Sequence, residues 1–320
     1  MDRRALHQKF PSFEFLVERG KIREFANSIE DDNPIYRNME YAKASPDGNI
    51  ITPPTFLRTF FYEDPISVQA LKVRDWSYIL HGEQEFEYFL PLLAGDALTC
   101  QDRIAGMFEK EGRQGGKLTF GVIETTFHNQ RGEKVQVARR TLIETSQTVA
   151  AEPKPQRTDS KESSAAQTAA PPRRIVRPVA LSFDDVNIGD SPTPLVMGPL
   201  TRTQCVKYAG ASGDFNPIHH DEMYAQNAGL PSLFAMGMLC GGYCARLLTD
   251  WFGDGALRRF RLRFRSRFWP GDMVTITSRI TGKNEDGEEA RVDCEYSAVN
   301  QHGEALIIGD AAAALPRREG

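Results

Sequence analysis

Residues 206–225 read VKYAGASGDFNPIHHDEMYA, and residues 23–42 read REFANSIEDDNPIYRNMEYA. Laid over one another without a gap, they match at Asn33-Pro34 with Asn216-Pro217 and at Tyr41-Ala42 with Tyr224-Ala225. Two further matches follow in the same order. Ala94-Gly95-Asp96 falls against Pro270-Gly271-Asp272, and NQRGE at 129–133 against NQHGE at 300–304. The offsets shrink from 183 to 176 to 171 residues, so the first copy is about twelve residues longer between its landmarks. Ordered matches of this kind point to an internal duplication.

Residues 150–174 (AAEPKPQRTDSKESSAAQTAAPPRR) separate the copies. They carry Pro, Ser, Ala, Gln and charge but no large apolar side chain, and so cannot bury enough surface to order themselves. The 320 residues therefore divide into a domain at 1–149, a flexible linker at 150–175 and a second domain at 176–320.

Each copy opens with a short helix, expected over 21–28 and 203–211, with Thr203 as N-cap and Gly213 as stop in the second. A longer apolar helix follows, over 54–62 and 237–252. In the second, Leu239, Tyr243, Leu247, Leu248, Trp251 and Phe252 wrap far enough round to imply burial. Two-residue alternation then takes over. Arg259, Arg261, Arg263, Arg265 and Arg267 alternate with Phe260, Leu262, Phe264, Ser266 and Phe268, the pattern of a strand with one apolar and one basic face. Further strands are expected over 273–281 and 290–299, broken by tight turns at 284–287 and 300–303. Helix, helix, then antiparallel strands, present twice, makes an α+β class in which a buried helix faces a curved sheet.

Composition excludes several classes. With 40% hydrophobic and 26% charged residues and a net charge of −4, nothing speaks for a nucleic-acid partner. No apolar run approaches the roughly 20 residues of a membrane span, and MDRRALHQKF at the start lacks a secretory core, so a cytoplasmic protein is expected. Cys100, Cys205, Cys240, Cys244 and Cys294 show no CxxC spacing, so buried thiols are expected rather than disulfides or a metal cluster.

The chemistry concentrates in residues 208–221 (YAGASGDFNPIHHD). Gly213-Asp214 ends a helix and Asn216-Pro217 forces a turn, bringing Asp214 and His219 to its two sides. A carboxylate beside an imidazole can hold a water molecule and move its proton, because the first is ionised near neutral pH and the second titrates there. By itself, such a turn is more often a capped loop than a catalytic site.

Gly213-Asp214-Phe215-Asn216-Pro217-Ile218-His219, followed 18 residues past the histidine by Gly237 in Ala235-Met236-Gly237-Met238, resembles the MaoC-like, R-specific enoyl-CoA hydratase family. The first copy, with FANSIEDDNP at 25–34 and TPPTFL at 52–57, resembles the dehydratase-like domain often fused to such hydratases. The resemblance implies a double hotdog: two antiparallel sheets, each wrapping a central helix. It implies reversible syn hydration of a trans-2-enoyl-CoA to an R-3-hydroxyacyl-CoA, with no metal or redox cofactor. Asp214 and His219 would handle the water and its proton, Asn216 would fix the loop, and the Gly237 amide at the helix start would receive the thioester oxygen charge. The family commonly has histidine where this chain has Ala235.

At the corresponding positions of the first copy stand Asp31, Tyr36 and Pro54. Proline has no backbone N–H, so the first copy lacks both imidazole and amide donor. One site per chain is expected, in the second domain, with the first shaping the substrate tunnel. An acyl-CoA thioester is the expected substrate, with acyl carrier protein as the other carrier such chemistry serves, and a monomer or homodimer is expected. Rival readings are a 3-hydroxyacyl-ACP dehydratase, a non-catalytic acyl-thioester-binding protein and a thioesterase. The arginine stripe is expected to be a solvated face or to pair with the acidic strand at 83–87, with only a subset free for phosphate. His220 is expected at the surface, Tyr36 packed over the degenerate turn, Cys240 and Cys244 in the core, and Trp76, Trp251 and Trp269 in packing.

Overall fold

The computed structural model describes residues 1–60, 66–73, 78–112, 116–146, 181–286 and 289–318. The linker expected over 150–175, Trp76 and Gly287 of one expected turn lie outside the described residues. In the first copy, strand β1 (Phe13–Leu16) leads into helix α1 (Arg19–Ser28), a 3-10 turn (Pro34–Tyr36), α2 (Met39–Lys43), a second 3-10 turn (Phe56–Phe60) and α3 (Ile66–Ala70). Strands β2 (Ile79–Tyr88), β3 (Ala97–Glu111), β4 (Lys117–His128) and β5 (Lys134–Glu144) complete it. The second copy repeats the order with β6 (Leu195–Met197), α4 (Arg202–Ser212), a 3-10 turn (Pro217–His219), α5 (Glu222–Asn227) and α6 (Gly237–Phe252). Strands β7 (Leu257–Phe264), β8 (Val274–Asp286), β9 (Glu289–Asn300) and β10 (Ala305–Ala314) follow.

The strands form one antiparallel sheet in the order β1-β3-β4-β5-β2-β7-β10-β9-β8-β6, which reads the same from both ends once equivalent strands are exchanged. The duplication is thus a pseudo-two-fold axis between β2 and β7. Two expectations change. There is one continuous sheet rather than two, because Glu83–Arg263 and Glu87–Arg259 bound a run of paired residues that joins the copies edge to edge. Pairing the two edges removes unpaired N–H and C=O groups that would otherwise face solvent.

The second change concerns the central helix. In the second copy α6 is that helix, buried on nearly every side. The long helix expected over 54–62 is instead the 3-10 turn Phe56–Phe60 across its described part. Pro53 and Pro54 supply no amide donors, and Pro65 follows too closely for a full helix to develop. Other residues cover the sheet there: Ala5 and Phe10 from the N-terminal segment and Val68 and Leu71 from and beyond α3 pack with Ile104, Ile123 and Leu142.

The repeated landmarks share their hydrogen bonding. Asp96 accepts the Leu93 amide at 2.9 Å and the Gln130 side chain at 3.1 Å. Asp272 accepts the Trp269 amide and the Gln301 side chain at the same two distances. Asn129 bonds the amides of Arg131 and Glu133, as Asn300 bonds those of His302 and Glu304. These residues recur because the turns need those acceptors.

Smaller corrections are local. Thr201, not Thr203, caps α4, its hydroxyl accepting the Gln204 amide at 3.0 Å. The arginine-bearing strand ends at Phe264, leaving Arg265 and Arg267 beyond it, because β2 pairing stops at Glu83, where β2 bulges at Gly82. The stripe is largely paired: Arg263 meets Glu83 at 2.6 Å across the seam, and Arg259 and Arg261 both hold Asp310. One register row, Arg103-Glu124-Arg139-Glu85-Arg261-Asp310, alternates in sign over six strands. All five cysteines are buried and unbridged.

Candidate active site

Helix α4 ends at Gly213, whose backbone is left-handed (φ +73°) and whose amide bonds Ala209 O at 2.9 Å. That conformation is cheap for glycine, and it turns the chain so that Asp214 leaves the helix axis. The Asn216 side chain accepts the Ile218 amide at 3.2 Å and caps the next 3-10 turn, which carries His219. Asn216 thus acts within its own loop.

His219 Nδ1 lies 2.8 Å from Phe234 O. A carbonyl only accepts, so Nδ1 carries the hydrogen and Nε2 keeps its lone pair. The ring stands edge-on to Phe234 at 4.9 Å, and Phe234 in turn packs on Trp269 at 5.7 Å. Burial pushes the His219 pKa below its ordinary value; the Asp214 charge and the Phe234 bond oppose this, while His220 and Arg58 add to it. The neutral imidazole is the form that can take a proton from water. Asp214 and His219 interact through space rather than by a direct hydrogen bond among those observed. His220 lies at the surface, bonded to Phe215 O at 3.2 Å.

Asp214 has a partner that the sequence reading missed. Arg58, from the 3-10 turn of the first copy, places Nη2 3.4 Å from Asp214 Oδ2, with the two side chains 10% and 24% exposed. The signal was a single charge inside the apolar run TFLRTFF at 55–61.

Gly237 is the first residue of α6, and Met236 provides no side-chain cap. First-turn amides have no intrahelical acceptor, so this end presents N–H groups and the positive end of a 16-residue helix. Glycine is needed there for packing as well: a Cβ would sit 2.4 Å from the Phe264 ring. Ala235, where the family commonly has histidine, is buried, and its amide bonds Phe268 O at 2.8 Å.

The degenerate turn is closed. Asp31 accepts the Asn33 amide at 3.1 Å, Asn33 bonds Ile35 N as Asn216 bonds Ile218 N, and Tyr36 is fully buried. Glu30 holds the left-handed position (φ +55°) that Gly213 holds in the second copy. A groove of about 590 Å³ lies elsewhere, on the outer sheet face, lined by Arg261, Arg263, Arg279, Glu295 and Asp310. Its charges are largely paired with one another, and none of the residues around Asp214 and His219 lines it.

Among the described residues, no helix is long and apolar enough to cross a membrane. Comparison with known proteins covers both copies. Residues 6–138 match the "FAS1-like, dehydratase domain region" and residues 185–301 the "MaoC like domain". A UPF0336 protein of Thermobifida fusca is 40% identical over 130 residues, covering 40% of this chain and 82% of that protein. A solved MaoC-like dehydratase is 26% identical, with a TM-score of 0.75 over 96% of this chain and 98% of the other. A Mycobacterium tuberculosis protein described as a double hotdog aligns over 96% of both chains at 11% identity and a TM-score of 0.63, a likeness of fold alone. With a FAS1-like region followed by a MaoC-like domain on a double hotdog fold, the chain belongs to the MaoC-like dehydratase family.

Proposed function

We propose that the protein catalyses reversible hydration of a trans-2-enoyl-CoA to a 3-hydroxyacyl-CoA of R configuration, with one site per chain formed by the second copy. The observation that carries this reading is His219, fixed through Nδ1 on Phe234 O and left with a free Nε2 lone pair beside the Asp214 carboxylate and within the same loop.

Asp214 and His219 Nε2 hold a water between them and remove its proton as the oxygen attacks C3 of the enoyl group. Electron density moves to the thioester oxygen, which the Gly237 amide and the α6 N-terminus stabilise. Collapse of that enolate takes a proton at C2, so one water adds across the double bond and the thioester survives. Proton loss and return belong to Asp214 and His219 as a coupled pair. Coenzyme A enters as part of the substrate. The first copy, with Tyr36 for the histidine and Pro54 for the amide, shapes the cleft and supplies Arg58 to it.

The test is to mix purified protein with crotonyl-CoA and record enoyl absorbance and free thiol together. Loss of absorbance without thiol, with R-3-hydroxybutyryl-CoA as product, is expected. Thiol release would make the protein a thioesterase, and no change over an enoyl-CoA series would make it a binding protein.

A further inference from the structure

We propose that Arg58, Tyr208 and His81 form a polar subsite for the acyl end of the substrate, and that the acyl group it takes carries a carboxylate a few bonds beyond the reacting carbons. This rests on the hydration reading and narrows it to a substrate class.

Arg58 is the centre of the subsite. It touches Asp214, and its charge acts on three further groups from three elements: His219, Tyr208 on α4 and His81 on β2. Buried polar atoms without hydrogen-bond partners lie on the elements that meet here: the Tyr208 hydroxyl on α4, which packs against the turn carrying Arg58, the Thr55 and Thr59 hydroxyls just before and within that turn, and His81 Nε2 on β2. Tyr208, Thr55 and Thr59 are 0% exposed. The His81 ring lies 4.8 Å from Phe264, the residue that packs against Gly237. The subsite is therefore continuous with the expected position of the thioester.

A plain alkyl chain laid among these atoms would leave each of them unsatisfied. A carboxylate would satisfy donors from Arg58 and Tyr208. A planar guanidinium can engage two carboxylates at once. Burial, with the neighbouring Arg58 and Arg140, pushes His81 well below its ordinary pKa, so it adds no charge of its own. Burial likewise raises the Tyr208 pKa, keeping the phenol protonated as a donor.

The subsite is tested by calorimetry with an unreactive pair, valeryl-CoA and glutaryl-CoA, which differ by a terminal methyl against a carboxylate. Wild type is expected to bind glutaryl-CoA at least about tenfold more tightly, a charge-assisted contact being worth that much. Arg58→Met should remove the gap, and Tyr208→Phe, which deletes only a hydroxyl, should reduce it severalfold. Equal binding of the two thioesters by wild type, or a gap unchanged in both variants, overturns the subsite. Turnover of trans-2-pentenoyl-CoA and glutaconyl-CoA is measured alongside. Failure to hydrate either, with the binding gap intact, would overturn the reaction and leave the subsite standing.

Discussion

The Phe25 and Tyr208 rings, equivalent residues of the two copies, pack against each other with centroids 5.8 Å apart and planes at 53°. They mark the pseudo-two-fold axis. Around them Lys21 donates to Gly210 O at 2.9 Å, and the Gln204 amide reaches back to Ser28 O. Only Tyr208 brings a hydroxyl, and it is buried. The copies are thus interlocked through their helices as well as joined through the sheet.

Gly242→Ala probes that interlocking. A Cβ at Gly242 of α6 would lie 2.5 Å from Cγ2 of Ile29 in the other copy. Overpacking of this kind costs about 1–3 kcal/mol, read as a lower urea midpoint in a single transition. An unchanged midpoint would mean that the helices are not in contact across the axis.

Tyr36→His restores an imidazole to the degenerate turn. On a His219→Ala background it is expected to leave hydration at the background rate, because Pro54 has no amide to offer and the described residues after it form a 3-10 turn, Phe56–Phe60. Recovery of more than about a tenth of wild-type activity would show a second competent site.

Stability should fall with acid before the carboxylates titrate. Burial depresses the pKa values of both His219 and His81 in the folded protein, while the unfolded value is about 6.5. Between those values the unfolded chain binds more protons, so stability rises with pH. The contribution is complete above about pH 6.5 and is lost as pH falls through the folded values. His81→Gln should flatten the slope between about pH 7 and 5 in urea titrations. A wild-type protein that gains stability on acidification over that range would contradict these burials.

Arg139 and Arg263 should differ. Arg263 makes one exposed pair with Glu83, so Arg263→Met should cost less than about 1 kcal/mol. Arg139 gathers Glu85, Glu87 and Glu124, and its loss leaves three carboxylates on neighbouring strands. Arg139→Met should cost about 1–3 kcal/mol, partly recovered at low pH. Equal costs in thermal unfolding would show that the charge row is only a solvated face.

The duplication was legible because its landmarks are turns. Asp96 and Asp272, or Asn129 and Asn300, are read by local hydrogen bonds that any copy of the turn must make. Gly213 and Asn216 were legible for the same reason. The central helix over 54–62 was misread because its apolar content belongs to residues packing around a short turn, as Phe56 does against Phe25 at 5.7 Å. Arg58 was missed because its partner lies 156 residues away in the other copy, beyond any periodicity. The packing reason for glycine at 237, the Phe264 ring, is likewise set by a different element.

The most direct measurement is the initial rate of crotonyl-CoA hydration by His219→Ala beside Tyr36→Phe and wild type, at equal folded concentration. His219→Ala is expected to lose roughly 10²–10⁴ in rate, and Tyr36→Phe to stay within about twofold of wild type. A His219→Ala rate within a few fold of wild type would contradict that expectation.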